Sequence, residues 1–157
     1  LAAAAGAEVT GVASAAKADL VRDLGATRVL DYAAGPLDDG TRYDLVLVVG
    51  GSHRLRDLRR LLVRDGTLVV AGGENGGRWT AGAHRQLLAM LWSPVVSQSL
   101  LGLMSRESAE DLQVLVEHAA AGRVRPAVDR TFSLEETPNA LDHLADGHVR
   151  GKALITL

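Results

Sequence analysis

The chain is predicted to fold as an α/β domain, a doubly wound parallel sheet with helices packed on it. Three stretches carry that expectation. Glu8–Tyr32, EVTGVASAAKADLVRDLGATRVLDY, reads as strand, tight turn, helix, glycine stop and second strand. Asp44–Gly51, DLVLVVGG, and Thr67–Ala71, TLVVA, are unbroken apolar runs bounded by polar loops and glycines. Short runs of this kind suit parallel strands covered on both faces.

In the first stretch, Val9 and Val12 frame a β-branched strand that ends at Ala13. Ser14 stands where a helix N-cap belongs, Leu20, Val21 and Leu24 form one apolar stripe, and Gly25 is the expected stop. Val29 and Leu30 restart an extended run that closes at Asp31 and Tyr32, completing a βαβ unit. The loop AAGPLDDGTR follows as surface connection.

Beyond the DLVLVVGG strand, Ser52 is the expected cap of a helix whose buried stripe is Leu55, Leu58, Leu61 and Leu62. Its arginines, Arg54, Arg56, Arg59 and Arg60, read as a solvated face, and Asp65–Gly66 as the turn before TLVVA. Residues 74–83 read as a loop anchored by Trp79. Gln86 to Met104 contains no charged residue, but Pro94 and the interspersed serines argue against a membrane span. That stretch reads instead as a helix to Leu91 and an edge strand near Gln98 to Met104. Ser105 or Ser108 caps the clearest helix, with Leu112, Leu115, Val116 and Ala119 on one face and Gly122 as its stop. After the extended run Arg123–Phe132, Ser133 and Glu136 form a possible capping box before a helix with Pro138 early, Leu141 and Leu144 inside and Gly147 at its end. Lys152–Leu157 is the last strand.

The turn after the first strand carries the main chemical clue. A Rossmann site for NAD usually ends this strand with an acidic residue that holds the ribose 2′-hydroxyl, whereas a 2′-phosphate calls for hydroxyls and cations. Here the strand ends Val12, Ala13, Ser14, with Lys17 one turn on and no carboxylate. Ser14 and Lys17 fit a phosphate; the plainer reading is a capping serine and a solvated lysine, and the sequence leaves both open. Ligands of open α/β sheets bind outside the carboxyl ends of the strands, which nominates Val48, Val49 and Gly50. Gly72 and Gly73 close the next strand, where the lack of a Cβ lets a ligand ring approach the main chain.

Composition bounds the rest. The 157 residues, 47% hydrophobic, suffice for one real core, and a net charge of -2 without a basic cluster gives no reason to expect nucleic acid. There is no cysteine, which removes disulfides and thiolate metal sites, and an intracellular, cytoplasmic enzyme is expected. His53, His84, His118, His143 and His148 show no paired metal spacing, so no metal is expected in this chain. No nucleophile elbow or Walker lysine is present, and no catalytic residue is assigned. A chain opening LAAAAG without methionine reads as a cut piece.

The runs VTGVASAAKADLVRDLGATRVLDY, YDLVLVVGG, LRRLLVRDGTLVVAGG and GRVRPAVDRTFSLEETPNALDHLADGHVRGKALITL together resemble the C-terminal half of the medium-chain dehydrogenase/reductase superfamily. The nearest branch is the zinc-independent quinone oxidoreductases and their alcohol-dehydrogenase-like relatives. The resemblance implies a Rossmann-type domain entered after its first strand and glycine-rich loop, spanning 1–125, and a return segment, 126–157, that packs on a catalytic half. It implies hydride transfer from NADP(H), preferred over NAD(H), to a quinone, enone or similar small carbonyl substrate. It also places Tyr32 beside the adenosine end of the cofactor, Gly72 and Gly73 at the nicotinamide wall, and a homodimer at the edge strand near Gln98 to Met104. The family often carries an acidic or small polar residue shortly before the glycines of the DLVLVVGG strand, where this chain has Leu47 and Val48.

In the strand order 3-2-1-4-5-6 the first strand is central, so strands 2 and 4 would each lack a neighbour, and the chain alone is expected to be inactive. Two other classes share parts of the pattern. A class I S-adenosylmethionine-dependent methyltransferase also has a YDLVL strand, although it too wants an acid where Ala13 and Ser14 stand. A non-catalytic nucleotide-binding or dimerisation module would keep the edge strand and a vestigial crevice.

Overall fold

The computed structural model describes residues 1–51, 53–71, 97–103 and 108–157. They divide into two compact units, Leu1–Gly35 with Glu107–Leu157, and Pro36–Arg106.

The first unit holds two separate pairs of parallel strands. Strand β1, Thr10–Ala13, pairs in register with β2, Arg28–Asp31, so that Ala13 lies opposite Asp31. Between them a 3₁₀ turn at Ala15–Lys17 leads into helix α1, Ala18–Asp23. Gly25 follows with φ +106°, the left-handed conformation expected of the stop residue. Gly11 sits in β1 because α1 crosses closely there: a Cβ at Gly11 would run into Cγ1 of Val21. The second pair is β6, Val128–Ser133, and β7, Lys152–Thr156, parallel and joined by a helix, Thr137–Ala145. The longest helix among the described residues, α3, spans Ala109–Ala120; Ser108 caps it by accepting a 3.3 Å hydrogen bond from the Asp111 N–H. The later helix is α4, whose N-cap is Glu136 rather than the expected Ser133; the Glu136 carboxylate accepts a 2.9 Å hydrogen bond from the Ser133 N–H, so the expected pair closes the turn that leads into the helix.

The second unit is a three-stranded parallel sheet in the order β3-β4-β5, with β3 at Tyr43–Val48, β4 at Leu62–Val70 and β5 at Ser99–Gly102. Helix α2, Leu55–Arg60, crosses between β3 and β4. The register aligns Val46, Leu68 and Leu100, then Val48 and Val70, on one face. Leu58, Leu61 and Leu62 join Val48, Leu68, Val70 and Leu100 in the core cluster, with Leu55 packed against it. The other face leaves Leu45, Leu47 and Leu101 at least half exposed.

Two boundaries differ from the expectation. Helix α2 stops at Arg60, and Leu62, Asp65 and Gly66 lie inside β4 rather than in a helix end and turn. The Tyr43 N–H donates to the Leu61 carbonyl at 2.8 Å, and Tyr43 pairs with Leu62, so the sheet takes up backbone that the leucine spacing had assigned to the helix. Strand β5 is also shorter than the expected Gln98 to Met104. Met104, the Ser52 cap, the Ser105 alternative cap, the Trp79 loop, the helix to Leu91 and Pro94 lie outside the described residues.

Among the described residues β1 pairs only with β2, and β3 only with β4. The pairing gives three separate sheets, β1-β2, β3-β4-β5 and β6-β7. No helix among the described residues is long and apolar enough to cross a membrane.

Candidate functional site

The turn that follows β1 is built by its backbone. Ser14 is extended, at φ -69° and ψ 154°, as a cap residue should be, but its side chain makes no capping hydrogen bond. The reason is the tighter first turn: the Lys17 N–H, a natural partner for a capping hydroxyl, donates instead to the Ser14 carbonyl at 2.9 Å. The hydroxyl is thereby left without a capping bond in the turn. Lys17 ends the 3₁₀ turn, and its ammonium reaches the Gly147 carbonyl at 3.4 Å, longer than the roughly 2.7–3.2 Å of a good N–H···O bond.

On the neighbouring strand, Asp31 is the carboxylate closest in register to this turn, and it is already engaged. Its Oδ1 accepts a 2.9 Å hydrogen bond from the Ala33 N–H, and its carbonyl accepts from the Ala34 N–H at 3.2 Å. This Asx turn was not among the expected site features. Its signal in the sequence is an aspartate at a strand end followed by small residues. Tyr32 lies within that turn, with 54% of its surface exposed. Ser14, Lys17, Asp31 and Tyr32 therefore belong to the carboxyl ends of two paired strands.

In the second unit the end of β3 alternates. Val48 is buried in the core, and its carbonyl accepts from the Ala71 N–H at 2.8 Å. Val49 is 70% exposed, and Gly50 is exposed beside Gly51, whose φ is +93°. Of these, Val49 and Gly50 present surface at the strand end, while the Val48 side chain serves packing. Gly72 and Gly73 lie outside the described residues.

Among the described residues no group of three His, Cys, Asp or Glu side chains comes together in a way that could hold a metal ion. His143 instead forms a 2.7 Å contact with Asp129, joining α4 to β6, and its ring lies 5.9 Å from that of Phe132. The Asp129 carboxyl is held below its ordinary pKa chiefly by that hydrogen bond.

Residues 24–155 match the zinc-binding dehydrogenase family. The chain belongs to this family, within the C-terminal half of the medium-chain dehydrogenase/reductase superfamily. It is 32% identical over 167 residues to the mitochondrial NAD(P)H oxidoreductase RTN4IP1 of Danio rerio, covering 97% of this chain and 43% of that protein. A chloroplast envelope quinone oxidoreductase homolog of Arabidopsis thaliana is 27% identical, across 96% of this chain and 45% of its own. Among solved structures, the alcohol dehydrogenase of Aeropyrum pernix superposes with a TM-score of 0.71 at 26% identity, covering 96% of this chain and 43% of that one. The quinone oxidoreductase of Coxiella burnetii gives 0.73 at 24% identity, over 97% and 45%. The chain thus spans less than half the length of these relatives. Although the family is named for zinc, the described residues of this chain do not fit a zinc site.

Proposed function

We propose that this chain is the cofactor-binding half of an NADP(H)-dependent oxidoreductase that passes hydride to a quinone, an enone or a similar carbonyl compound. The observation that carries the reading is the turn after β1. It ends without a carboxylate, it leaves the Ser14 hydroxyl unengaged by the helix, and it sets Lys17 three residues on with, among the described residues, a long contact to a carbonyl. Asp31, which could repel a phosphate from the next strand, is tied down by the Ala33 N–H. A 2′-phosphate would receive a hydroxyl hydrogen bond from Ser14 and a charge-assisted one from Lys17, while Tyr32 would lie along the adenosine. The exposed Val49 and Gly50, with Gly72 and Gly73, would line the cofactor at the other strand ends.

Bound in this way, the nicotinamide supplies the hydride. The residues of this chain bind, orient and wall off the dinucleotide. Residues 1–125 then form the nucleotide domain and 126–157 the return onto the catalytic half, without which the chain is inactive. The outer edge of β5, paired only with β4 among the described residues, is the proposed homodimer contact. A cytoplasmic setting belongs to the same reading. Family membership and the parallel β6-β7 pairing speak against the methyltransferase alternative.

The test is NADPH-dependent reduction of a benzoquinone by the protein with its catalytic half present, as wild type and as Lys17→Gln. Loss of one charge-assisted hydrogen bond, about 1.5–3 kcal/mol, should raise KM for NADPH roughly ten- to a hundredfold with little change for NADH. An unchanged KM for NADPH would remove Lys17 from the site. Absence of quinone reduction with either cofactor would remove the substrate class.

A further inference from the structure

The arginines of α2 do more than face solvent. Arg56, Arg59 and Arg60 are spaced i, i+3 and i+4, which sets three guanidinium groups on one side of the helix. Together with Leu62 and Gln98 they line a cavity of about 390 Å³, within the roughly 300–1,000 Å³ range of small-molecule sites.

Gln98 organises this cavity across 39 residues of sequence. Its Nε2 donates to the carbonyls of Arg59 at 3.1 Å and Val63 at 3.3 Å, which turns its Oε1 toward Arg59. The Arg59 Nε then donates to that oxygen at 3.0 Å. The guanidinium plane of Arg59 is therefore set by the protein before any ligand arrives, the condition under which an arginine binds an anion with least loss of side-chain freedom.

Two of the arginines hold their carboxylate loosely. Asp57 is the ion-pair partner of both Arg56 and Arg60 among the described residues, at 3.5 Å and 3.8 Å. Both contacts are longer than the roughly 2.7–2.9 Å of a charge-assisted hydrogen bond. Cations in a last helical turn are favoured by the helix dipole, which accounts for Arg59 and Arg60. It does not account for Arg56 in the first turn, nor for the cavity or the Gln98 clamp.

The cavity lies at the amino ends of the strands. Tyr43 pairs with Leu62 at this end and Val48 with Val70 at the other, five residues along β3, or about 16 Å. It is therefore distinct from the strand-end surface of Val49 and Gly50 in the same unit. A net charge of -2 for the whole chain argues against an extended polyanion as the occupant.

We propose that the cavity lined by Arg56, Arg59, Arg60, Leu62 and Gln98 binds a phosphorylated small molecule through its phosphate group, as a second site apart from the nucleotide turn. The probe is inorganic pyrophosphate, titrated calorimetrically into the intact protein at low ionic strength. Saturable binding is expected in the wild type and in Lys17→Gln, and it should weaken at least about tenfold in Arg56→Gln/Arg60→Gln. Those two side chains are 60% and 72% exposed, so their replacement leaves the core in place, and an unchanged thermal midpoint verifies this. Gln98→Glu, which sets a carboxylate against Arg59, should weaken binding by a similar factor.

Equal affinity in the wild type and the double variant overturns the proposal. So does binding that is lost in Lys17→Gln yet kept in the double variant, which would assign the phosphate to the nucleotide turn. Binding of a 20-mer RNA that depends on the same arginines, without binding of pyrophosphate, would also overturn it in favour of a nucleic-acid surface. These outcomes are independent of quinone reduction.

Discussion

The sheet of residues 36–106 and the strand pairs of the other unit are made from the same parallel β-α-β segments, but they bury apolar surface very differently. All seven members of the core cluster, from Val48 to Leu100, belong to this unit: six lie in the three-stranded sheet and α2, and Leu61 lies at the junction of α2 and β4. In the other unit only Phe132 and Ala140 are buried among the described hydrophobic residues. Its helices leave Leu112, Leu115, Val116, Leu141 and Leu144 between 40% and 60% exposed. A third strand and a helix crossing one face suffice to close a small core, whereas a two-stranded pair with one helix does not. Among the described residues the main apolar core accordingly lies in the unit that holds the arginine cavity, and the nucleotide turn belongs to the unit that buries less apolar surface.

Substitutions can break this contrast. Leu68 is fully buried between β3 and β5, and Leu68→Ala should cost about 2–5 kcal/mol in chemical denaturation, against roughly 0.5 kcal/mol or less for Leu112→Ala on α3. Equal costs would mean that α3 is packed as tightly as the sheet.

A sharper probe of the looser unit is Gly151, where φ is +121° and a Cβ would collide with the Ala127 carbonyl oxygen. That carbonyl accepts the 2.8 Å hydrogen bond from the Lys152 N–H that opens β7. Gly151→Ala should cost roughly 1–3 kcal/mol, and its main-chain signature should be faster amide exchange along β6 and β7.

The smallest effect is expected at Asp129. Its pKa lies below the ordinary 3.8 because His143 donates to it, and a carboxyl made more acidic by folding adds stability above its unfolded pKa. That contribution is lost as pH falls through the folded value. Asp129→Asn should therefore lower stability slightly at neutral pH and flatten its decline below pH 3.8, as read from urea unfolding across that range.

Much of the fold was legible because local signals agreed with the tertiary outcome. Gly25, Gly122 and Gly147 all take positive φ where the helix stops were expected, Ser108 caps α3, and Glu136 reaches Ser133. The end of α2 was not legible, because leucines at 55, 58, 61 and 62 satisfy a helical stripe and a buried strand start equally well. Only the Tyr43 pairing with Leu62 decides between them.

At the candidate site, the exposed turn at Ser14 and Lys17 could be placed from residue types. That Ser14 makes no capping bond follows from a 3₁₀ closure that has no separate sequence signal. The Gln98 clamp on Arg59 joins residues 39 apart, a separation at which periodicity carries no information. This is why the same arginines read as a plain solvated face in the sequence.

The most direct measurement compares 2′,5′-ADP with 5′-AMP as ligands of the intact protein, since the two differ only in the 2′-phosphate. The Ser14–Lys17 turn predicts binding of 2′,5′-ADP at least about tenfold tighter, with the difference abolished in Lys17→Gln. Equal affinities in the wild type would contradict the account.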